Sequence, residues 1–374
     1  MSTPQGYPTA AFDYALPDAL IARHPAAARD ASRLLVVNRN TDTIEHRHFH
    51  DIIDYIDAGD ALVLNETKVI PARLLGQRAS GAAAEVLLLR PVDAAGAAAG
   101  FTSDRDRSRA DHGTGRESLL PATWVALVRP GSRLRRGRIV TVADDLGVEI
   151  LDVLPDGARV VRLITPLPVR DALEKHGHVP LPPYLGRVDE ASDRERYQTV
   201  YARAEGSVAA PTAGLHFTPG LLQALEAKGV RVVRLVLHVG AGTFRPVDVE
   251  DPAMHPMHAE AYALDEAAAT TINDARAAGG RTWAVGTTVT RTLETCARDD
   301  GTLAAGAGET RLFIRPPYQF RAVDRLITNF HLPRSTLLML VAAFGGYDRI
   351  MRAYASAVAE RYRFYSYGDA MAVL

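Results

Sequence analysis

The stretch from Thr218 to Val239 constrains the fold more than any other part of the chain. Thr218 is a good N-cap, Pro219 suits the first helical position, and Gly229 supplies a stop. A helix over 219–228 therefore feeds a strand over 230–239. That strand is apolar on both faces, so it needs cover on both sides, as a central strand in a parallel sheet has. The pattern recurs downstream. Asp265 caps a helix reaching about Ala278, Gly279-Gly280 stop it, and 282–285 forms the next strand. A further helix starts near Thr287 and runs towards Arg298. Strands at 311–314 and 363–367 bracket helices at 335–344 and 347–360. Such alternation predicts an α/β fold with a largely parallel sheet and flanking helices.

Residues 1–72 have a different texture. Turns around Pro17, Pro25 and 57–60 separate short strands at 34–38 and 61–65. These strands have no helical partners of their own, so they are expected to join the downstream sheet. From about residue 73, short apolar strands follow at 85–90, 123–128, 138–142, 148–153 and 159–164. Strands at that spacing, separated by turns, predict a small antiparallel barrel. The expected organisation is an α/β domain over 1–72 and 165–374, interrupted by a β-barrel domain over 73–164. Within the insert, 92–119 is rich in Ala, Gly, Asp and Arg and lacks apolar periodicity. It reads as a mobile surface loop.

Charge narrows the function. Lys+Arg number 43 against 44 Asp+Glu, so bulk charge does not hold this chain on nucleic acid. Local charge is a separate matter. Arg129, Arg133, Arg135, Arg136 and Arg138 stand together with no acid among them, and 311–334 holds Arg311, Arg315, Arg321, Arg325 and Arg334 against Asp324. Arg suits phosphate recognition, although codon usage in a G+C-rich genome gives the same skew. Cys296 is the single cysteine, which fits a reducing cytoplasm. Residues 1–10 lack the signature of a signal peptide. The longest apolar run, 337–344, falls far short of the roughly 20 residues of a membrane helix. A cytoplasmic monomer without membrane contact is expected.

Several loops carry candidate chemistry. His238 to Phe244 ends the central strand, where parallel sheets bind ligands. Its glycines Gly240 and Gly242 allow close approach to the backbone. A tight loop with a core histidine explains the same residues. Gly286-Thr287-Thr288 joins a strand to a helix, and its hydroxyls and free N–H groups suit a carboxylate or phosphate. Plain capping is the alternative. His216, in Pro211 to Thr218, precedes a helix start, where the dipole favours a neutral imidazole. His255, His258 and Glu260 have a metal-like composition but match no zinc spacing, and no metal is expected. Arg315 to Tyr318 and Thr328 to Pro333 are further loops at sheet ends.

Read together, these strings resemble one family nearly end to end: the S-adenosylmethionine:tRNA ribosyltransferase-isomerases of queuosine biosynthesis. The resemblance rests on Phe12-Asp13-Tyr14, Arg29-Asp30 with Ser32-Arg33-Leu34-Leu35, and Asn65 to Arg73. It continues through Pro180 to Tyr184, Tyr197 to Tyr201, 210–217, His238 to Phe244, Gly286 to Thr288, Thr328 to Pro333 and Tyr365 to Met371. The segment 92–119 departs from it in length and composition.

The resemblance implies an α/β domain with an inserted barrel. It implies that the ribosyl part of S-adenosylmethionine, consumed as co-substrate, is transferred to 7-aminomethyl-7-deazaguanine at the tRNA wobble position. Epoxyqueuosine forms there, with release of adenine and methionine. Such chemistry needs a base, an acid for adenine, a carboxylate clamp and a pocket for an extruded base. Loop placement offers His216 or His238 as the base and His331 as acid or orienter. Thr287 and Thr288 would clamp the carboxylate, and Gly214, Gly240, Gly242 and Thr243 would allow close approach. Phe217, Phe244 or Tyr318 would stack on a purine, and Arg315 and Asn329 would read the deazaguanine or a phosphate. Arg133, Arg135, Arg136, Arg321 and Arg325 are the candidate tRNA contacts. A methyltransferase using the same co-substrate and a non-catalytic tRNA-binding protein are the alternatives.

Overall fold

The computed structural model describes residues 6–92, 120–240 and 246–374. The chain forms a nine-stranded mixed sheet, a closed six-stranded barrel and a two-stranded sheet. The large sheet uses β1 (Arg33–Asn38), β2 (Thr43–His48) and β3 (Ala61–Asn65) from the beginning of the chain. Next come β4 (Thr67–Val69) and the barrel: β5 (Arg73–Arg78), β6 (Ala83–Pro91), β7 (Thr123–Arg129), β8 (Ile139–Ala143), β9 (Leu146–Val153) and β10 (Arg159–Ile164). Helices α1 (Val169–His176) and α2 (Asp193–Arg196) follow, and β11 (Ala204–Ser207) returns to pair with β4. The remaining elements are α3 (Pro219–Ala227), β12 (Arg231–Leu237), β13 (Glu260–Leu264), α4 (Glu266–Ala277), β14 (Thr282–Val285) and α5 (Thr287–Cys296). The chain closes with β15 (Gly306–Thr310), β16 (Arg325–Asn329), α6 (Thr336–Gly345), α7 (Tyr347–Ala359) and β17 (Ala370–Val373).

The sheet order is β15-β13-β12-β3-β14-β16-β17-β1-β2. The run β12, β3, β14 and β16 is parallel, as is β1 with β17. Antiparallel pairs supply the rest. The α/β sheet with an inserted antiparallel barrel is therefore present.

Alternation explains why the central strands are buried throughout. In β3, Ala61 and Val63 enter one core, against α4, α5 and α6; Leu62 and Leu64 enter the opposite core, with Leu222 and Leu225 of α3. In β1, Leu35 and Val37 take the first face, and Leu34 and Val36 the second. The barrel has its own interior, built from inward residues such as Val86, Leu88, Trp124, Ala126, Val148 and Val161. Ala172 and Leu173 of α1 join it. Among the described residues, no helix is long and apolar enough to cross a membrane.

Two expected strands lie elsewhere. The strand placed at 311–314 is β15, which ends at Thr310; Arg291 Nε then donates to the Leu312 carbonyl (3.0 Å), so a side chain replaces the ladder. The strand placed at 363–367 is β17, beginning at Ala370. At 363–367 the chain turns instead, with Tyr365 at φ 73°. Strands β2, β4, β5, β11, β13 and β16 add to the expected set. The strand over 230–239 is shorter, and Arg234 in it is exposed.

Candidate functional site

The carboxyl ends of the parallel strands converge on one cleft. Asn65, ending β3, donates to the Leu237 carbonyl at 2.9 Å and to Thr288 Oγ1 at 3.3 Å; its Oδ1 accepts from the N–H groups of Thr67 and Leu237. It thereby locks the ends of β3 and β12 to the start of α5. Gly286, at φ 94°, turns β14 into α5 without a capping side chain. The first N–H groups of α5 thus lack a side-chain cap. The cleft there encloses about 640 Å³ of space that is partly continuous with bulk solvent. Thr287, Thr288, Thr328, Asn329, His331, Tyr184 and Tyr365 are among its walls.

Of the expected catalytic histidines, only His331 lines this cleft. Its Nε2 is 2.7 Å from Thr328 Oγ1. Its backbone is fixed on both sides: the N–H donates to Tyr354 Oη at 2.9 Å, and the carbonyl accepts from the Tyr14 hydroxyl. No hydrogen-bond partner for Nδ1 occurs among the described residues. Burial pushes the His331 imidazole down to about 3, so it is neutral at physiological pH.

His216 sits one layer behind. Its Nδ1 is 2.7 Å from Ser32 Oγ, its Nε2 accepts from Asn329 Nδ2 at 3.1 Å, and Phe49 stacks on the ring. Burial, reinforced by Arg363 and Arg29, pushes it down to about 3. Both ring nitrogens are occupied, which suits positioning of Asn329. His238 is also buried, with Nδ1 2.8 Å from Thr67 Oγ1, and burial pushes it down to about 4. Neither histidine belongs to the cleft wall.

The other expected residues divide. Phe217 is fully buried against Phe49 and has no face for a purine. Gly214 serves packing: a Cβ there would lie 2.0 Å from the Tyr201 hydroxyl oxygen. Gly214→Ala is therefore expected to lower unfolding free energy by about 1–3 kcal/mol. A urea-denaturation midpoint equal to that of the unsubstituted chain would refute this. Gly240 N–H donates to Glu260 Oε1 (3.1 Å), and Glu260 pairs with Arg291 in a buried ion pair. Tyr318 donates to Glu294 Oε2 at 3.2 Å, so its hydroxyl is committed to the fold. Arg315 lies near the Phe313 ring.

Gly242, Thr243 and Phe244 lie outside the described residues, as does most of 92–119. Arg325 begins β16, so it lies at the sheet edge opposite the cleft, whereas Arg321 is half-exposed and 3.4 Å from Asp299. Arg133, Arg135 and Arg136 are exposed on the barrel, in the loop between β7 and β8. Buried Arg159 holds that loop by donating to the carbonyls of Gly131 and Leu134. His255, His258 and Glu260 border a neighbouring cavity with Arg291. Among the described residues, the His/Asp/Glu/Cys groups close enough to share an ion are His48, His50 and Asp51, away from the cleft wall.

Sequence reasoning passes over Tyr184, Tyr365, Thr328 and Ser366 as site residues. Tyr184 and Tyr365 form an aromatic wall, with ring centroids 4.6 Å apart. Tyr365 has positive φ, which is uncommon for a bulky side chain and concentrates at functional sites. Its carbonyl accepts from Asn329 Nδ2 at 3.2 Å.

The family model for queuosine biosynthesis proteins matches residues 9–373. The chain belongs to the queuosine biosynthesis protein family. Within it, the chain is 51% identical over 365 residues to an S-adenosylmethionine:tRNA ribosyltransferase-isomerase from Symbiobacterium thermophilum, covering 97% of this chain and 98% of that one. A protein of the same description from Moorella thermoacetica is 52% identical over 366 residues, with the same coverage. Among solved structures, an S-adenosylmethionine tRNA ribosyltransferase from Thermotoga maritima aligns with TM-score 0.52 and 38% identity, covering 97% of this chain and 100% of that one. The family match spans both the sheet that forms the cleft and the inserted barrel.

Proposed function

We propose that this chain is an S-adenosylmethionine:tRNA ribosyltransferase-isomerase. In this reading it moves the ribosyl group of S-adenosylmethionine to the amine of 7-aminomethyl-7-deazaguanine in tRNA. The observation that carries the reading at the site is His331: a neutral, buried imidazole on the cleft wall whose Nδ1 has no hydrogen-bond partner among the described residues. Around it stand an uncapped helix start and an aromatic wall.

The positively charged sulfur of S-adenosylmethionine acidifies the C5′–H bonds beside it. His331 Nδ1 takes one of these protons. The electrons of that bond form C4′=C5′ as C4′–O4′ breaks, and the freed oxygen forms a C1′ carbonyl as the bond between C1′ and adenine breaks. An imidazolium depressed to about 3 is a strong acid, so it returns the proton to the departing adenine nitrogen. The same depression makes imidazole a weak base, so the sulfonium must supply most of the acidity. Thr328 Oγ1 can donate to Nε2 or accept from it, which accommodates either tautomer. The tRNA amine then adds to C4′, which returns the electron pair to C5′, and loses a proton. That carbon attacks the C1′ carbonyl and closes a five-carbon ring, and the resulting alkoxide displaces sulfur from C5′, so the epoxide closes as methionine leaves.

Thr287, Thr288 and the N-terminus of α5 would hold the methionine carboxylate, because helix N-termini favour anions. Tyr184 and Tyr365 would stack on a purine or deazapurine face. The assay that tests the reading combines S-adenosylmethionine with tRNA carrying the precursor base and identifies the small products by mass. Adenine and methionine in equal amounts support it. S-adenosylhomocysteine would instead indicate a methyltransferase, and intact co-substrate a binding protein.

The exposed arginines of the barrel loop supply a sequence-independent phosphate contact in this reading. Replacing Arg133, Arg135 and Arg136 together by Ala should raise the KM for tRNA and leave kcat near its original value. The slope of log affinity against log salt should flatten by about 2. An unchanged slope would remove this loop from the tRNA surface.

A further inference from the structure

Behind the main cleft lies a second pocket, with about 280 Å³ of open space. Its walls include Arg29, Arg196, Arg363, Ser32, His216 and Ser366. Ser366 also lines the main cleft, so the two spaces adjoin.

The positive charge in this pocket is only partly compensated among the described residues. Arg29 donates to the carbonyls of Leu215 (3.1 Å) and Glu195 (2.9 Å). Arg196 donates to the carbonyls of Ala26 (2.6 Å) and Ala27 (3.2 Å), and its buried Nε has no hydrogen-bond partner among the described residues. Among the described residues, no carboxylate forms an ion pair with either guanidinium. Arg363 is the exception, with Asp369 at 3.8 Å; that carboxylate also accepts from the backbone N–H groups of Arg33 and Arg363. Burial and repulsion from Arg196 hold the Arg29 guanidinium below its ordinary range, with Glu195 offsetting only part of this. Half-buried cations normally have partners, and guanidinium geometry matches phosphate oxygens.

A hydrogen-bonded chain links this pocket to the reaction site. Ser32 Oγ meets His216 Nδ1, and His216 Nε2 meets the Asn329 amide on the cleft wall.

We propose that the Arg29–Arg196–Arg363 pocket binds a phosphate of the RNA backbone next to the nucleotide that enters the main cleft. The proposal rests on the tRNA reading above. Occupation of the pocket would then place the target base and, through Ser32 and His216, orient Asn329.

The test measures binding of an anticodon stem-loop RNA carrying the precursor base, without turnover. Arg196→Gln should weaken binding about tenfold, as expected for loss of one charge-assisted contact. Its salt slope should flatten by about 1, and Arg196→Lys should restore much of the affinity. S-adenosylmethionine affinity should stay unchanged. In the unsubstituted chain, inorganic phosphate at constant ionic strength should compete with the RNA; this arm stands even if Arg196→Gln folds poorly. Unchanged RNA affinity in a folded Arg196→Gln chain would overturn the proposal, as would absence of phosphate competition. Loss of phosphate binding with RNA binding intact would make the pocket a free-anion site and overturn the RNA assignment. Adenine release by the unsubstituted chain, assayed separately, tells failure of this pocket from failure of the tRNA reading.

Discussion

His331→Ala should reduce adenine release by about a thousandfold, within the range expected for loss of a positioned acid–base group. The expectation follows from the place of His331 in the cleft wall, with no partner for Nδ1 among the described residues. S-adenosylmethionine binding should change only a few-fold, because the proposed clamp lies on α5. Single-turnover measurement of adenine, paired with equilibrium binding of the co-substrate, separates the two effects. Thr328→Val should give a smaller loss, since it removes the partner of Nε2 and keeps the imidazole. Near-normal adenine release from a folded His331→Ala chain would return the role to another residue. The result also discriminates among the histidines. His216 is expected to act through Asn329, so the charge-neutral variant His216→Gln should lose less activity than His331→Ala.

Acid should destabilise the fold well before its carboxylates protonate. His216 and His331 are held down to about 3 and His238 to about 4. Unfolded, each returns to about 6.5. Between those limits the unfolded chain binds more protons than the folded chain. The stabilisation is complete above about pH 6.5 and is lost as pH falls towards the folded values. With all three titrating, stability should drop by about 4 kcal/mol per pH unit near pH 5. Urea denaturation at a series of pH values between 7 and 4.5 reads this slope directly. His238→Gln should remove about a third of it. A flat profile over that range would contradict the burial of these rings.

Caps made the helices legible. Thr218, Asp265 and Ser335 accept from the N–H groups of Leu221, Ala268 and Leu338, each three residues on. That signal is local, so sequence carries it. The strand errors arose where local preference and tertiary structure disagree. Aromatic residues at 362–367 favour strands, yet Tyr365 adopts positive φ, and a Cβ at Gly368 would lie 2.4 Å from the Arg363 carbonyl oxygen. In β16, the polar Thr328 and Asn329 masked a short buried strand. The site followed the same rule. Its loops were legible because they follow sheet ends. The placement of its histidines was not, since His216 is bonded to Ser32, which is 184 residues away in sequence.

The pairing of β1 with β17 sets an order for folding during synthesis. The strand joining β16 to β1 comprises residues 370–373, made long after β1 and after the whole barrel. Likewise, β3 waits for β12 and β14 before either edge is covered. The barrel has no such delay, because its strands pair among themselves within a short span of sequence. A growing chain can therefore close the barrel while β1 and β3 remain without their parallel neighbours. The sheet that carries the cleft is completed only once residues 370–373 have been made, so a chain truncated before residue 370 would hold a formed barrel and an unfinished cleft.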